Sequence, residues 1–126
     1  MIKFFNRSPR LRPLQAQSRV YDLKARLDWG EPALTILDVR DRREFNTSHI
    51  MGAVPMPFNE PTDRVLDKLE LGRDIYVYGE TDEETAAAAD QLRAAGYENV
   101  SEIRGGLAAW KAVGYPVESM PTTTTL

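Results

Sequence analysis

Short apolar runs alternate along the chain with segments in which apolar residues recur every three or four positions. The runs at 34–39, 75–78 and 99–103 are rich in β-branched and aromatic residues and predict strands. The first of them, LTILDV, is almost continuously apolar, which is typical of a central strand in a parallel sheet. Strands that alternate with helices predict an α/β fold whose parallel sheet carries helices on both faces.

Capping residues and apolar faces place the predicted helices. Ser18 is expected to cap a first helix, Thr62 a second and Thr81 a third, because each hydroxyl can accept a bond from an N–H at a helix start. Two glycines at 105–106 open a fourth. The apolar faces are expected to be Val20, Leu23 and Leu27; Val65, Leu66 and Leu69; Ala86, Ala89, Leu92 and Ala95; and Leu107, Trp110 and Val113.

The segment after the first apolar run is less regular. Residues 40–45 predict one helical turn and residues 46–52 a loop. The prolines within 53–58 predict a short strand at an edge or end of the sheet, where a missing N–H is tolerated.

Composition narrows the possible chemistry. The 126 residues include no cysteine and one histidine, which excludes disulfides, thiolate metal sites, a cysteine nucleophile and a multi-histidine metal centre. No apolar run is long enough to span a bilayer, and no secretory signal follows Met1, so a cytoplasmic protein is expected.

Charge is unevenly placed along the chain. Residues 1–27 carry a net charge of +6 and the remaining residues a net charge of −9, so an acidic body is expected to repel nucleic acid. Residues 1–13 predict a basic, flexible arm, with weak contact to an anionic membrane surface as the alternative. Residues 14–118 predict one domain, and residues 119–126 a flexible tail.

The loop that follows the apolar run 75–78 is strongly acidic. Thr81 is predicted to cap the next helix, and Glu84 to complete a capping box. Glu80, Asp82 and Glu83 add three more carboxylates near the positive end of the helix dipole. Three interpretations stay open: a solvated helix start, an acidic contact for a basic partner, or a carboxylate pair or cation site.

Four further polar residues lie at the end of the first predicted strand or in the segment that follows it. Asp38, Arg40 and Asp41 are at the carboxyl end of this strand, where sites gather in open α/β sheets. His49 is a lone histidine before an apolar residue, so a structural hydrogen bond is favoured over proton transfer.

Three segments of the chain resemble the rhodanese superfamily. They are LDVRDRREFNTSHIMGAVPMPF at 37–58, IYVYG at 75–79 and GYENVSEIRGGLAAWKAVGYPV at 96–117. The resemblance implies a three-layer rhodanese-like fold with a five-stranded parallel sheet. It also implies that Asp38, Arg40 and His49 frame the cleft rather than perform chemistry.

The middle segment departs from the pattern of active members of that superfamily. Laid on this chain, the position of their persulfide-carrying cysteine falls on Gly79, their usual arginine on Glu84 and their usual serine on Thr85. The loop from 79 to 84 keeps the six-residue length of the sulfurtransferases. The nucleophile is therefore missing, and the charge of its surroundings is reversed.

These departures predict a non-catalytic protein-binding or regulatory module with no cofactor. Its degenerate loop, Gly79 to Thr85, is expected to present an acidic surface to a basic protein partner. The alternative hypothesis is an enzyme or cation-binding domain that uses residues 80–84 on a phosphorylated substrate.

Overall fold

The computed structural model describes residues 14–30, 33–58 and 66–120 of the chain. Thr62, the predicted cap of the second helix, lies outside these residues. The predicted N-terminal arm and most of the predicted C-terminal tail also lie outside them. The described strands are β1 (Gln17–Ser18), β2 (Leu34–Asp38), β3 (His49–Ile50), β4 (Val54–Pro55), β5 (Asp74–Tyr78), β6 (Asn99–Ile103) and β7 (Val117–Glu118). The described helices are α1 (Val20–Trp29), α2 (Arg42–Thr47), α3 (Asp82–Ala94) and α4 (Gly106–Ala112).

A parallel sheet forms the middle layer, as predicted. Within the described residues its order is β1-β6-β5-β2-β4, and every neighbouring pair is parallel. The three strands predicted at 34–39, 75–78 and 99–103 occupy its centre, and the proline-bearing β4 lies at one edge. The sheet therefore directs the carboxyl ends of β2 and β5 to the same side, where a site can form.

The central strand β5 is buried on both faces. Ile75 and Val77 pack toward α3 in one apolar cluster, whereas Tyr76 and Tyr78 belong to the other, which includes residues of α1 and α4. Side chains alternate between the two faces of a strand, so one five-residue segment serves both cores. Burial of apolar area on both faces is what holds the three layers together.

The N-cap of the first helix lies one residue later than predicted. Arg19, not Ser18, is the N-cap of α1. Ser18 lies in β1, and its hydroxyl is 2.6 Å from the Ser101 hydroxyl across the sheet. The side chain expected to cap the helix is therefore used by strand pairing.

Two predicted apolar faces are partly wrong. The buried face of α3 consists of Thr85, Ala88, Ala89 and Leu92, whereas Ala95 is an exposed C-cap. Val113 was expected to point inward from α4 but is 57% exposed, because the helix ends at Ala112 and Val113 follows it. Ala86 of α3 is also only partly buried, and Thr85 and Ala88 are buried in its place. The errors at Ala95 and Val113 lie at the C-terminal end, where the periodic pattern continues past the last helical residue.

The segment after β2 is more regular than predicted. Helix α2 covers Arg42–Thr47, and His49–Ile50 forms β3 where a loop was expected. Strand β3 pairs antiparallel with β7, near the other end of the domain. A two-residue strand with a partner that distant has no local signal in the sequence. Among the described residues, no helix is long and apolar enough to cross a membrane.

Substituting the glycine that opens α4 should destabilise the domain. Gly106 has a φ of 53°, and a Cβ there would lie 3.1 Å from the Gly79 carbonyl oxygen. Gly114 has a φ of 79° with no atom within 4 Å of the same position, so Gly114→Ala is the matched control. Both variants incur the left-handed backbone penalty of about 1–2 kcal/mol. We expect Gly106→Ala to lose about 1 kcal/mol more in urea unfolding, because it also displaces the Gly79 backbone. Equal losses would contradict this close approach.

Alkaline pH should destabilise the fold through its buried tyrosines. Burial raises the pKa of Tyr78 far above the ordinary range, and burial also raises the pKa of Tyr76 against the opposing effect of Arg26. In the unfolded chain both phenols release their protons at about pH 10. The stability contributed by the neutral phenols is therefore complete below that pH and is lost as pH rises above it.

The measurement is the urea midpoint between about pH 8 and pH 11, the range that brackets phenol titration. Tyr78→Phe should show a shallower decline with pH than the wild type. Tyr21 is 60% exposed, so Tyr21→Phe serves as the control and should decline as the wild type does. If the urea midpoint declined equally with pH in all three proteins, the loss of stability could not be assigned to the Tyr78 phenol.

Candidate functional site

The acidic loop lies at the carboxyl end of the central strand. Gly79 follows β5 directly and is buried, whereas Glu80 and Thr81 are exposed. Helix α3 begins at Asp82, so the loop joins the middle of the sheet to a helix N-terminus. The structure thus confirms the predicted strand–loop–helix geometry.

Hydrogen bonds within the loop satisfy most of its N–H groups. The Gly79 N–H donates to the Thr85 hydroxyl over 2.7 Å, and that hydroxyl donates to the Thr81 carbonyl over 3.0 Å. The Glu84 N–H donates to the Thr81 hydroxyl over 3.1 Å, so the predicted N-cap is confirmed. The Glu84 carboxylate accepts a bond of 3.0 Å from the Glu80 N–H, one residue before the N-cap. The capping box is therefore shifted by one residue from its predicted form.

The Glu84 side chain folds back over Gly79. A Cβ at position 79 would lie 3.1 Å from the Glu84 Cβ and 3.2 Å from its carboxylate oxygen Oε1. Any side chain at 79 would require Glu84 to move. The absence of a side chain at Gly79 and the position of the carboxylate therefore depend on each other.

Asp82 ties the loop to the neighbouring connection between β6 and α4. Its Oδ1 accepts a bond of 3.0 Å from the Gly105 N–H, and its Oδ2 lies 3.4 Å from the Arg104 guanidinium. Glu83 lies in the same helical turn and is exposed. The carboxylates predicted as one acidic surface thus have different surroundings.

Asp38 and Arg40 form a buried ion pair at the end of β2. The Arg40 Nε and Nη2 donate to the two Asp38 oxygens over 3.0 and 2.7 Å, and Nη2 also donates to the Ser48 carbonyl over 2.6 Å. Burial alone would lower the pKa of Arg40, but the hydrogen bond and charge of Asp38, with smaller contributions from the charges of Tyr78 and Glu80, outweigh it and raise the pKa. Arg40 therefore stays charged, and Asp38 neutralises it.

His49 is turned away from the acidic loop. Its ring stacks on Phe45 with centroids 3.7 Å apart, and Nδ1 donates to the Phe45 carbonyl over 2.7 Å. Its Nε2 lies 3.6 Å from the Glu118 carboxylate on β7. The imidazole thus connects α2, β3 and β7.

A cleft of about 350 Å³ opens beside the loop. Its lining consists of Val39, Arg40, Asp41, Glu44, Phe58, Glu80 and Glu84. Of the residues expected to frame this cleft, Arg40 lines it, Asp38 supports Arg40 from below, and His49 is not part of the lining.

Sequence reasoning missed Glu44 and Phe58 as parts of the cleft. Asp41 and Glu44 belong to the start of α2, and Phe58, 41% exposed, follows β4. Asp41 was predicted at the carboxyl end of β2 together with Asp38 and Arg40, and it lines the cleft, but nothing in the sequence brings Phe58 to the same place.

The cleft carboxylates differ in how they are held. Asp41 accepts a bond of 3.0 Å from the Glu44 N–H, and Glu84 is held by the Glu80 N–H. Glu44 lies 3.8 Å from the Arg40 guanidinium and is half exposed. The Glu80 carboxylate is exposed and accepts no hydrogen bond from the described part of the chain. Glu80 and Glu44 are therefore the carboxylates best placed to meet a ligand.

No group of three or more His, Asp or Glu side chains within residues 14–30, 33–58 and 66–120 is arranged to hold a metal ion.

Comparison with known proteins agrees with this fold. The rhodanese-like domain family matches residues 19–113. The crystal structure of the Alr3790 protein from Anabaena sp. is 58% identical, with a TM-score of 0.78, and the match covers 82% of this chain and 80% of that one.

Two curated proteins extend beyond the matched region. The Synechocystis protein slr1261 is 34% identical over 68% of this chain and 48% of its own length. The Mycobacterium tuberculosis HTH-type transcriptional regulator Rv0324 is 35% identical over 77% of this chain and 42% of its own length. The chain thus spans about half the length of these relatives. By sequence and by fold, this chain belongs to the rhodanese-like domain family, as a member with no cysteine among its 126 residues.

Proposed function

We propose that this domain is a non-catalytic protein-binding module whose acidic cleft receives a basic segment of a partner protein. The observation that carries the proposal is the Glu84 carboxylate, which folds over Gly79 and accepts the Glu80 N–H. By resemblance, Gly79 stands where active members carry their cysteine. The Glu84 carboxylate thus occupies the space beside Gly79. A thiolate at that position, and the anionic sulfur donor that reacts with it, would need the same space.

Electrostatics argue against sulfur transfer in this loop. A reactive thiolate is stabilised by N–H donors and cations around it. Here Glu80 and Glu84 line the cleft, and two like charges about 5 Å apart repel by roughly 1 kcal/mol even at the dielectric constant of water. Among the described residues that line the cleft, the one guanidinium is that of Arg40, which is already neutralised by Asp38.

The same features favour a cationic ligand with an apolar neighbour. Glu44 and Glu80 offer exposed carboxylates from different elements, and the exposed Phe58 offers an aromatic ring. A lysine or arginine side chain near such a ring gains from both interactions. Binding of this kind should be fast, modest in affinity and sensitive to salt.

The setting proposed for this module is cytoplasmic. The segment shared with the transcriptional regulator Rv0324 is in keeping with a binding role inside a larger protein. Residues 1–13, which lie outside the described residues, carry four basic groups for weak contact with an anionic membrane surface. Nucleic acid is not the proposed partner, because the body of the chain is acidic.

The first test of the proposed function concerns chemistry at position 79. The wild type should show no thiosulfate:cyanide turnover above the uncatalysed rate. The thiol of Gly79→Cys should react slowly with a disulfide reagent, since the Glu84 carboxylate lies 3.2 Å from the Cβ position and opposes the thiolate. Gly79→Cys/Glu84→Gln should react about tenfold faster at pH 7.5, which corresponds to a thiol pKa lower by about one unit.

Gly79→Cys/Glu83→Gln is the matched control. It removes an exposed charge from the same helical turn without uncovering position 79, so its reactivity should change much less. Turnover by the wild type would contradict the proposed function. Equal acceleration in both double variants would contradict the specific role of Glu84.

The second test of the proposed function concerns the surface that binds the partner. A labelled peptide with arginine and leucine residues and no acidic residues should bind the domain and be released by high salt. Glu44→Gln/Glu80→Gln should weaken binding by about fivefold, as expected for two exposed charge contacts. Glu70→Gln/Glu98→Gln removes two exposed charges that do not line the cleft and should bind as the wild type does. Equal weakening by both pairs would rule out the cleft as the binding surface.

A further inference from the structure

A second pocket lies at the outer edge of the sheet, beside β1. Its volume is about 400 Å³. The lining side chains that matter for its chemistry are Gln15, Gln17, Arg19, Tyr21, Asp22 and Arg104. This pocket is separate from the acidic cleft, and its residues take no part in the proposed binding of a basic segment.

Strand register brings two arginines together in this pocket. Ser18 of β1 pairs with Ile103 of β6, and Arg19 and Arg104 are the residues that directly follow these two neighbouring parallel strands. The Arg104 N–H donates to the Ser18 carbonyl over 2.9 Å, which confirms that their backbones run side by side. Adjacent strands lie about 4.8 Å apart. Like charges at neighbouring positions destabilise a sheet unless something compensates them.

Two arginines and one carboxylate are among the described residues that line the pocket. The carboxylate is that of Asp22, whose Oδ2 accepts a bond of 2.9 Å from the Arg19 backbone N–H. On the far side, the Arg104 guanidinium lies 3.4 Å from an Asp82 oxygen, with half of the arginine side chain exposed. The pocket thus combines two guanidinium groups with one carboxylate, in a chain whose residues 28–126 carry a net charge of −9.

The position of the pocket also suits a ligand. Arg19 and Arg104 follow the carboxyl ends of their strands, on the side of an open α/β sheet where ligands usually bind. Guanidinium groups present planar pairs of donors that match the oxygens of phosphate and carboxylate. The Gln15 and Gln17 amides and the Tyr21 hydroxyl add neutral hydrogen-bonding groups around them.

We propose that this pocket binds an oxyanion, the phosphate or carboxylate group of a small polar ligand, between the guanidinium groups of Arg19 and Arg104. Binding there is linked to the acidic loop. Asp82 contacts Arg104 through one oxygen and holds the Gly105 N–H with the other. A ligand that draws Arg104 away from Asp82 therefore changes the surroundings of the loop at the start of α3.

The test is an amide NMR titration of the protein with inorganic phosphate, and with acetate, against chloride at matched ionic strength. Saturable shifts at Arg19, Arg104 and Gly105 are expected with phosphate or acetate and not with chloride. The anion that saturates identifies the class of ligand group. Arg19→Gln and Arg104→Gln should each weaken binding by about tenfold, as expected for loss of a charge-assisted hydrogen bond.

Arg43→Gln is the matched control, since Arg43 is an exposed arginine on α2 that lines neither pocket. It should bind phosphate as tightly as the wild type does. Shifts that grow linearly without saturation, or equal weakening by Arg43→Gln, would overturn the proposal. Arg104→Gln changes a half-exposed side chain, and we expect the variant to fold. The dispersion of its amide spectrum checks that the fold is retained. Unchanged affinity in that folded variant would also overturn the proposal.

Discussion

The ion pair between Asp38 and Arg40 supports one wall of the acidic cleft. Both side chains are buried, and Arg40 also binds the Ser48 carbonyl, so the segment from β2 to β3 is fixed over the end of the sheet. Removing either partner would leave an uncompensated buried charge, which costs about 3–5 kcal/mol in proteins. Because this arginine is neutralised from below, the carboxylates above it still determine the sign of the cleft.

The opposite wall depends on a different compensation. Position 79 carries no side chain, and the space is taken by the Glu84 side chain, whose carboxylate is held by a backbone N–H. A single exchange of cysteine for glycine would leave an N–H group and an empty space at the mouth of the loop. In this protein the two positions are matched, so the loop is a complete structure with its own internal anion.

Two regions of opposite charge lie along the carboxyl side of the same sheet. The acidic cleft lies beside β2 and β5, whereas the arginine pair lies beside β1 and β6. Asp82 stands between them, because it bonds to the Gly105 N–H and faces Arg104. The two proposed sites thus differ in the charge of the ligand they would take, and the Asp82 carboxylate of the acidic loop contacts Arg104 of the other site.

The sequence by itself determined the α/β class, the three central strands, the Thr81 cap and the acidic character of the loop, because these depend on residues close together in the chain. The absence of a thiol is likewise a property of composition. Only the tertiary structure decided that Glu84 folds over Gly79, that Asp41, Glu44 and Phe58 complete the cleft, and that Ser18 joins a strand instead of capping a helix. The Ser18 and Phe58 contacts join residues distant in sequence, whereas the Glu84 contact is local but depends on a side-chain conformation that no sequence pattern specifies. Strand register, which places Arg19 beside Arg104, is set by the packing of the whole sheet.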